Sequence, residues 1–307
     1  MRDSFVNSLY KLAEKDKNIV LLTADLGFKF FDKFESSFPD QFFNVGVAEQ
    51  NMMGIATGLA LEGKKVVTYS IGNFGTLRCL EQIRNDACYH DTNITIIANG
   101  GGFSYGSLGM SHHTTEDLAI LRALPNMTVV APCDVHEAKR AILWAAEYEG
   151  PVYLRFAREK TPVITTPDSP FNFGKGEVYL HPESNAEKKV AILGSGTVLH
   201  QAMMAGKQLN EKGIGTCVAN FATIKPLDTE LVEKLASEYE MVVTVEEHQR
   251  NGGLGSAVVE HLSEHNPTKV IRVGVDDMFG QSGTPDELYA HYGMDTDSIV
   301  KRIQEAM

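Results

Sequence analysis

Two alternating patterns of hydrophobic and polar residues run along the first half of the chain. Short apolar runs rich in β-branched side chains are typical of buried strands, and the longer stretches between them repeat apolar residues at helical spacing. Strands that alternate with helices of this length indicate a parallel, doubly wound α/β sheet. Asp134 precedes the last of these helices and is a predicted N-cap. The predicted strands are residues 19–24, 42–47, 65–69, 94–98, 128–131 and 152–156, and the predicted helices are residues 3–15, 50–61, 76–89, 116–123 and 135–148.

A second α/β pattern follows a break in the first. Residues 161–184 are rich in proline, glycine and polar side chains, which is typical of a linker between domains. We therefore predict two domains, at residues 1–172 and 188–307, joined by a linker at residues 173–187. The sequence shows no internal repeat. In the second domain the predicted strands are residues 190–193, 216–219, 241–245 and 270–273, and the predicted helices are residues 198–212, 229–239 and 254–264.

Composition narrows the class of protein. The 307 residues include 43% hydrophobic and 22% charged side chains, close to the averages of globular proteins, and no apolar segment reaches the length of a membrane span. Residues 1–8 lack the apolar core of a secretory signal, so we expect a cytoplasmic protein without a membrane partner. A formal net charge of −12 opposes binding to nucleic acid, which needs a basic face. The four cysteines have no Cys-x-x-Cys spacing, which predicts reduced thiols and no metal site.

One carboxylate stands at the junction between a predicted strand and a predicted helix. Residues 42–47 form the strand-like run, and Glu49 follows at the start of a helix rich in small residues. If its side chain is buried, desolvation raises the pKa of the carboxyl and makes it a hydrogen-bond donor near neutral pH. The alternative is a helix N-terminal glutamate that the helix dipole stabilises, and position alone favours this alternative.

A glycine-rich loop at residues 100–113 is the second candidate for function. It follows a predicted strand, where open α/β sheets place their ligand crevices, and it carries His112 and His113. Loops of this length inside a compact domain are usually functional or mobile. We therefore predict a binding role for this loop.

Three other motifs have simpler explanations. Residues 112–117 include several metal-ligating side chains but lack the two-histidine helical spacing of known zinc motifs, so we predict no metal site. Ser104 lies in a Gly-x-Ser-x-Gly sequence, yet more loop follows where a nucleophile elbow needs a helix. Residues 194–199 form a glycine turn without the third glycine of a dinucleotide site, which favours a plain strand-to-helix turn.

Several segments of the sequence together resemble the transketolase family. The likeness begins with the run that contains Glu49, continues through the loop that contains His112 and extends into the second domain, so it covers essentially the whole chain. The resemblance implies two doubly wound α/β domains, a pyrimidine-binding domain of thiamine diphosphate enzymes and a smaller transketolase C-terminal domain. The segments that carry it are residues 45–50, 81–85, 112–127, 131–134, 190–197, 224–228, 246–256 and 279–283.

The resemblance implies that thiamine diphosphate is the cofactor and that Glu49 is the catalytic glutamate. In the family this residue is protonated and hydrogen-bonded to N1′ of the pyrimidine, and the cofactor carries a two-carbon ketol unit from a ketose to an aldose. By resemblance Phe74 stacks on the pyrimidine, and Asp25 and Gln82 lie near the cofactor. His112 contacts the substrate in the catalytic cleft. The match of Phe74 requires a small gap, so a neighbouring residue is the alternative stacking partner.

The sequence lacks the half of a transketolase that holds the diphosphate. The family's metal-binding domain carries a Gly-Asp-Gly run with a later Asn, and no Gly-Asp-Gly occurs here. The resemblance therefore implies the C-terminal subunit of a split transketolase, whose partner is an N-terminal subunit that holds Mg²⁺ and the diphosphate. It also implies active sites formed between chains, in a heterotetramer with two copies of each subunit.

At the substrate end the family pattern is kept only in part. By resemblance Arg2 and Arg158 match phosphate-binding arginines, and Lys29 stands where a phosphate-contacting serine is expected, which implies an anionic sugar. Leu108 replaces an aspartate that reads a sugar hydroxyl, and Gly100 replaces a phosphate-contacting histidine. A site that no longer binds a hydroxyl no longer rejects substrates without it. We therefore expect either a modified sugar or nearby loop residues that replace both contacts.

Other thiamine diphosphate enzymes are the nearest alternatives. These are a 2-oxo acid dehydrogenase beta-type subunit and a deoxyxylulose-phosphate synthase-like subunit. From a different class, the chain could be a non-catalytic interaction module that keeps the fold, but retention of Glu49 and His112 opposes that interpretation. A hydrolase, built on Ser104 or on His113 and Glu116 with a metal, is the most distant alternative.

Overall fold

The computed structural model describes residues 1–158, 160–182, 186 and 188–307. These residues form two α/β units, each built on its own sheet, which confirms the predicted fold class. The first unit comprises α1 (Arg2–Lys15), β1 (Ile19–Thr23), α2 (Asp32–Ser37), β2 (Phe42–Asn44), α3 (Glu49–Leu61), β3 (Lys65–Ile71), α4 (Leu80–Gln82), β4 (Ile94–Asn99), α5 (Asp117–Arg122), β5 (Thr128–Val130), α6 (Val135–Ala145) and β6 (Val152–Phe156).

The second unit begins inside the segment predicted to be a linker. Strand β7, at Glu177–Leu180, lies within residues 173–187 and pairs antiparallel with the edge of the second sheet. The remaining elements are β8 (Lys188–Gly194), α7 (Leu199–Glu211), β9 (Ile214–Asn220), β10 (Thr223–Lys225), α8 (Thr229–Glu238), β11 (Met241–Gln249), α9 (Leu254–His265), β12 (Val270–Val275), α10 (Pro285–His291) and α11 (Thr296–Ala306).

The first sheet has seven strands in the order β10-β5-β6-β4-β3-β1-β2. All its pairings are parallel except that of β10, which runs antiparallel to β5. The carboxyl ends of β1, β2, β3, β4 and β6 therefore lie at one edge of the sheet. The loops that follow these strands carry the candidate residues, as is usual for ligand sites in open α/β sheets.

The core lies on both faces of each sheet. Every residue of β1 is buried, and alternate residues join different clusters: Val20 and Leu22 pack under α3, whereas Ile19 and Leu21 pack under α1. This alternation follows from the two-residue period of a strand. The second sheet, ordered β12-β11-β8-β9-β7, is covered in the same way on two faces. Buried strands with both faces covered explain why the sequence shows continuous apolar runs.

A strand pairing and a buried polar network join the two units. Thr223 of β10 pairs with Val130 of β5, so the second unit completes the first sheet. The guanidinium of Arg155 donates to Asp117 Oδ2 at 2.8 Å and to the carbonyl oxygen of Glu247 at 2.8 Å. These side chains are all buried, so the network fixes one arrangement of the units.

Two predicted elements differ from the observed ones near the candidate site. The predicted helix at residues 76–89 is wrong in its first turn, because residues 72–79 form turns and α4 begins only at Leu80. A π-helix at Ile83–Cys88 continues α4, a feature often found at functional sites. The predicted strand at residues 42–47 ends early, because Asn44 accepts a hydrogen bond from the backbone of the turn that follows it.

The structure shows the state of the cysteines and the lengths of the helices. The four cysteines are buried and unpaired, as predicted. Burial raises the pKa of the Cys79 thiol to about 12, so this thiol stays protonated at neutral pH. Within the described residues, the helices are all too short or too polar to cross a bilayer.

Candidate active site

Glu49 is the first residue of α3 and lies almost wholly out of solvent. Its exposed fraction is 4%, so the condition on which its functional interpretation depends is met. The turn after β2 leaves Ala48 as the N-cap, in a non-helical conformation, and α3 then carries the carboxyl toward β3. There the Ser70 hydroxyl lies 3.4 Å from Glu49 Oε1 and donates to it.

The Glu49 carboxyl is paired with the guanidinium of Arg78, a residue that is not among those predicted from the sequence. Arg78 Nη1 donates to Oε1 of Glu49 at 3.2 Å and to Oε2 at 3.3 Å. The guanidinium carbon of Arg78 also lies 3.8 Å from the ring centroid of Phe74. The Arg78 side chain is 46% exposed, so this end of the cluster is open to solvent. An acid, a cation and an aromatic ring therefore form one cluster at the edge of the sheet.

His112 lies next to this cluster. Its ring centroid is 5.2 Å from that of Phe74 and 5.9 Å from that of Tyr105. The loop that carries it is held by Asn73, whose side-chain amide donates to the carbonyl oxygen of Ser111 at 2.7 Å. The fold thus brings the histidine from the loop after β4 beside the aromatic ring from the loop after β3.

Asp25 is one of the two further residues assigned to the cofactor by resemblance, and it lies at the same edge of the sheet. Asp25 follows β1 in a left-handed conformation, and its side chain accepts a hydrogen bond from Asn44 at 3.2 Å. Asn44 Oδ1 in turn accepts from the backbone N–H groups of Asp25 and Gly46, which ties β1 to the turn before Glu49. Gln82 lies on α4, and its Oε1 is buried without a hydrogen-bond partner among the described residues.

A cationic cleft of about 480 Å³ opens beside the start of α1. Arg2, Arg158 and Lys160 all contribute to its lining. The guanidinium carbon of Arg2 lies 3.4 Å from the ring centroid of Phe30, and that of Arg158 lies 4.8 Å from the ring centroid of Tyr105. Stacking on aromatic rings holds both guanidinium groups at the cleft, where each can present its fork of donors to an anion.

Lys29 lies apart from this cleft. Its backbone is left-handed, its N–H donates to Asp32 Oδ1 at 3.0 Å, and its side chain is exposed. In the part of the chain that the structure describes, Lys29 lines neither the cationic cleft nor the smaller cleft that shares Arg2 with it. The structure therefore brings together Arg2 and Arg158 but not the third predicted anion contact.

Residues of the other motifs form hydrogen bonds and an ion pair with the rest of the fold. The Ser104 hydroxyl donates to a backbone carbonyl at 2.8 Å, and the buried His113 ring bonds another carbonyl at 3.1 Å. Burial lowers the pKa of His113. Asp117 pairs with Arg155, and the N–H of Gly196 donates to the first unit at 3.1 Å. Among the described residues, no group of three or more His, Cys, Asp or Glu side chains is placed to hold a metal ion.

Four residues near the site are not among those predicted from the sequence, namely Asn44, Arg78, Asn99 and Tyr105. Arg78 follows Phe74 by four residues, and this spacing could have indicated a shared face of a helical turn. Asn44 and Asn99 each end a strand at the carboxyl edge of the sheet, and this position could also have indicated a ligand-binding role. Tyr105 gives no signal beyond its position in the glycine-rich loop.

The sequence matches two known domain families. Residues 1–163 match the family described as transketolase, pyrimidine binding domain, and residues 181–299 match the family described as transketolase, C-terminal domain. The chain belongs to the transketolase family. The predicted resemblance is thereby confirmed for both α/β units, and the cluster of Glu49, Phe74 and His112 lies in the pyrimidine-binding domain.

Individual proteins of the transketolase family match nearly the whole chain. A protein of Methanocaldococcus jannaschii, whose name describes a transketolase C-terminal section, is 42% identical over 100% of this chain and 96% of its own length. One of the subunits of an apulose-4-phosphate transketolase, from Phocaeicola vulgatus, is 39% identical over 99% of this chain and 96% of its own length. A solved structure described as a split gene transketolase, inactive beta4 tetramer, has a TM-score of 0.89 at 39% identity and covers 99% of this chain and 97% of that one.

Proposed function

We propose that this chain is the C-terminal subunit of a thiamine diphosphate-dependent transketolase. The enzyme transfers a two-carbon ketol unit from an anionic ketose to an aldose acceptor. The observation that carries the proposal is the buried Glu49 carboxyl beside the rings of Phe74 and His112. A bound pyrimidine needs a hydrogen-bonding group at a ring nitrogen and a flat surface for stacking, and this cluster offers both.

In this proposal the residues of this chain bind and orient the cofactor and the substrate. When bound, thiamine diphosphate supplies a nucleophilic carbon and an electron sink for the two-carbon unit. Glu49 offers its carboxyl to the pyrimidine ring nitrogen, and Phe74 offers a ring face for stacking. The unpartnered Oε1 of Gln82 is a further acceptor for a donor group of the cofactor. His112, from the loop after β4, bounds the cleft on the substrate side.

We also propose a partner subunit that supplies the diphosphate and Mg²⁺ site, in an assembly with two copies of each chain. The relative from Phocaeicola vulgatus is named as one of the subunits of a transketolase, and the solved neighbour is described as a beta4 tetramer that is inactive. Apolar side chains are exposed around the site, with Val47 71%, Phe28 68% and Leu77 45% exposed. Exposed apolar residues beside a functional site favour a protein partner at that surface.

The cationic cleft supports a proposal on the substrate class. Arg2, Arg158 and Lys160 line one cavity, and arginine forks match the oxygens of a phosphate group. The relative from Phocaeicola vulgatus is named for a phosphorylated sugar. We therefore take a sugar phosphate as the substrate class, with its phosphate in the cleft and its reacting carbon toward His112. Lys29 has no part in this proposal, since its side chain lies outside the cleft.

Reconstitution with an N-terminal subunit tests the proposal. With that partner, thiamine diphosphate and Mg²⁺, the wild-type chain should transfer a two-carbon unit from hydroxypyruvate to glycolaldehyde, and the chain alone should not. Glu49→Gln should lower kcat by roughly 10²- to 10⁴-fold. The matched control is Glu62→Gln, an exposed carboxylate at the other end of α3, which should keep wild-type kcat. Wild-type turnover by Glu49→Gln would overturn the proposal.

A further inference from the structure

The ring of Tyr105 fills the space that a side chain at position 100 would need. A Cβ atom at Gly100 would lie 2.1 Å from Cε2 of Tyr105 and 2.4 Å from Cδ2. The φ of Gly100 is +96°, which also favours glycine at this position. Tyr105 thus stands where the family pattern has a histidine side chain.

Asn99, the last residue of β4, contacts this tyrosine. Its side-chain amide donates to the Tyr105 hydroxyl oxygen at 3.3 Å. Asn99 is 4% exposed, and its Oδ1 has no hydrogen-bond partner among the described residues. In either orientation of the carboxamide, one of its two polar atoms forms a hydrogen bond with Tyr105 and the other has no hydrogen-bond partner among the described residues. A buried polar atom without a partner is costly, and a bound ligand would remove that cost.

Asn99 and Tyr105 line a cleft of about 200 Å³, and Arg2 lines both this cleft and the cationic cleft. Tyr69 lines the same cleft, and the described residues place no carboxylate in its lining. Leu108, where the family pattern has an aspartate, is 52% exposed and is not part of this lining. The polar groups that a ligand meets here, apart from the guanidinium of Arg2, are therefore neutral.

Tyr105 lies between the two ends of the proposed substrate site. On one side its ring is 5.9 Å from the ring of His112, and on the other it is 4.8 Å from the guanidinium carbon of Arg158. A sugar phosphate that reaches from one end to the other passes this tyrosine with its hydroxyl-bearing carbons. Burial raises the pKa of the Tyr105 phenol, so the hydroxyl keeps its hydrogen at neutral pH.

We propose that Asn99 and Tyr105 form a neutral donor–acceptor pair that binds the sugar hydroxyl next to the reacting carbonyl carbon. The inference rests on the proposed function and adds specificity-determining residues to it. Asn99 Oδ1 accepts the hydrogen of the sugar hydroxyl, and the Tyr105 hydroxyl donates its own hydrogen to the sugar oxygen. The pair thus supplies the hydroxyl contact that is missing at position 108. No proton is transferred, and the pair acts only by hydrogen bonding.

The test is discrimination between two acceptors that differ in one hydroxyl. The reconstituted complex is assayed with hydroxypyruvate as donor and either ribose 5-phosphate or 2-deoxyribose 5-phosphate as acceptor. The wild type should prefer the hydroxylated acceptor in kcat/KM by roughly 10-fold or more, because the deoxy sugar leaves buried polar atoms unpaired. Tyr105→Phe and Asn99→Ala should each reduce this ratio by roughly 3- to 10-fold.

Tyr89→Phe is the matched control, since Tyr89 is 81% exposed and loses the same hydroxyl. It should leave the ratio at the wild-type value. A wild-type ratio near one, no turnover of either aldose phosphate, or an unchanged ratio in both site variants would overturn the inference. Failure of the proposed function is distinguishable, because the wild-type complex would then also fail to transfer a two-carbon unit from hydroxypyruvate to glycolaldehyde.

Discussion

The guanidinium of Arg78 donates to both carboxylate oxygens of Glu49, at 3.2 and 3.3 Å, while it stacks 3.8 Å from the ring centroid of Phe74. A flat nitrogen-rich group that bonds the acid and stacks on the ring has the recognition features of an aminopyrimidine. Arg78 therefore stands where the proposed function places the pyrimidine of the cofactor. On the proposed function, the arginine would have to move away when the cofactor binds.

Removal of this competing group should tighten cofactor binding. We predict that Arg78→Gln lowers the Kd for thiamine diphosphate by roughly 10-fold, since an open ion pair and a cation–π contact no longer have to be broken. Titration calorimetry on the reconstituted complex with Mg²⁺ measures this Kd. Arg84→Gln is the control, because Arg84 is exposed and its side chain bonds only that of its neighbour Asn85 among the described residues. Weaker binding by Arg78→Gln would show instead that the arginine helps to hold the cofactor.

The cationic cleft predicts a dependence on substrate charge. Arg2→Gln should raise KM for a sugar phosphate by about 10- to 100-fold, because a charge-assisted hydrogen bond contributes roughly 1.5–3 kcal/mol. The KM for glycolaldehyde, which has no anionic group, should change far less. Steady-state kinetics with both acceptors gives the comparison, and the exposed Lys11→Gln serves as the control. Equal effects on the two acceptors would contradict the assignment of the cleft to the phosphate.

Asp134 predicts a stability effect with a defined pH dependence. Its carboxylate accepts from two N–H groups at the start of α6, at 3.0 Å, and from the N–H of Ile164 at 2.8 Å. Burial acts to raise the pKa of Asp134, but hydrogen bonds from Glu137, Thr165 and Ile164 outweigh it and hold the pKa below its ordinary value of 3.8. Asp134→Ala should therefore lower the free energy of unfolding at pH 7 by about 1–3 kcal/mol.

The sign of the pH effect follows from the lowered pKa. A carboxyl with a lower pKa in the folded state stabilises the fold above its unfolded pKa and loses that effect as pH falls through the folded pKa. The difference between wild type and Asp134→Ala should thus be constant near pH 7 and shrink below about pH 4. Urea denaturation at several pH values measures it, with the exposed Asp40→Ala as control. A difference that grows on acidification would contradict this account.

Local sequence patterns predict the parts of the fold that local interactions decide. Asp134 is predicted as an N-cap, and its carboxylate does accept from the N–H groups of His136 and Glu137. The burial of Glu49 does not follow from such a pattern, because the strand before it is partly exposed, with Phe43 43% exposed. The helix at residues 76–89 is predicted because its apolar residues have helical spacing. Its first turn is wrong, since Gly72 and Gly75 allow the chain to pack tightly against Thr114 and Ser70 in a non-helical turn.

Contacts between distant residues could not be predicted in this way. Arg78 and Glu49 are 29 residues apart and meet because β3, which lies between them in the sequence, packs against α3 and leads into the turn that carries Arg78. The pairing of β10 with β5 joins segments that the sequence assigns to different domains. The packing of Tyr105 against Gly100 depends on a loop conformation with positive φ, which no periodic pattern encodes. Periodicity indicates elements and their buried faces, whereas the site depends on how loops from several strands converge.

Deuterium exchange at C2 of the thiazolium ring measures whether Glu49 activates thiamine diphosphate, as we propose. The measurement uses the reconstituted complex, an acid quench and proton NMR, with calorimetry to show that each variant binds the cofactor. We predict fast exchange in the wild type and in Glu62→Gln, and exchange slower by roughly 10²-fold or more in Glu49→Gln. Exchange at the wild-type rate in cofactor-loaded Glu49→Gln would show that Glu49 does not activate the cofactor.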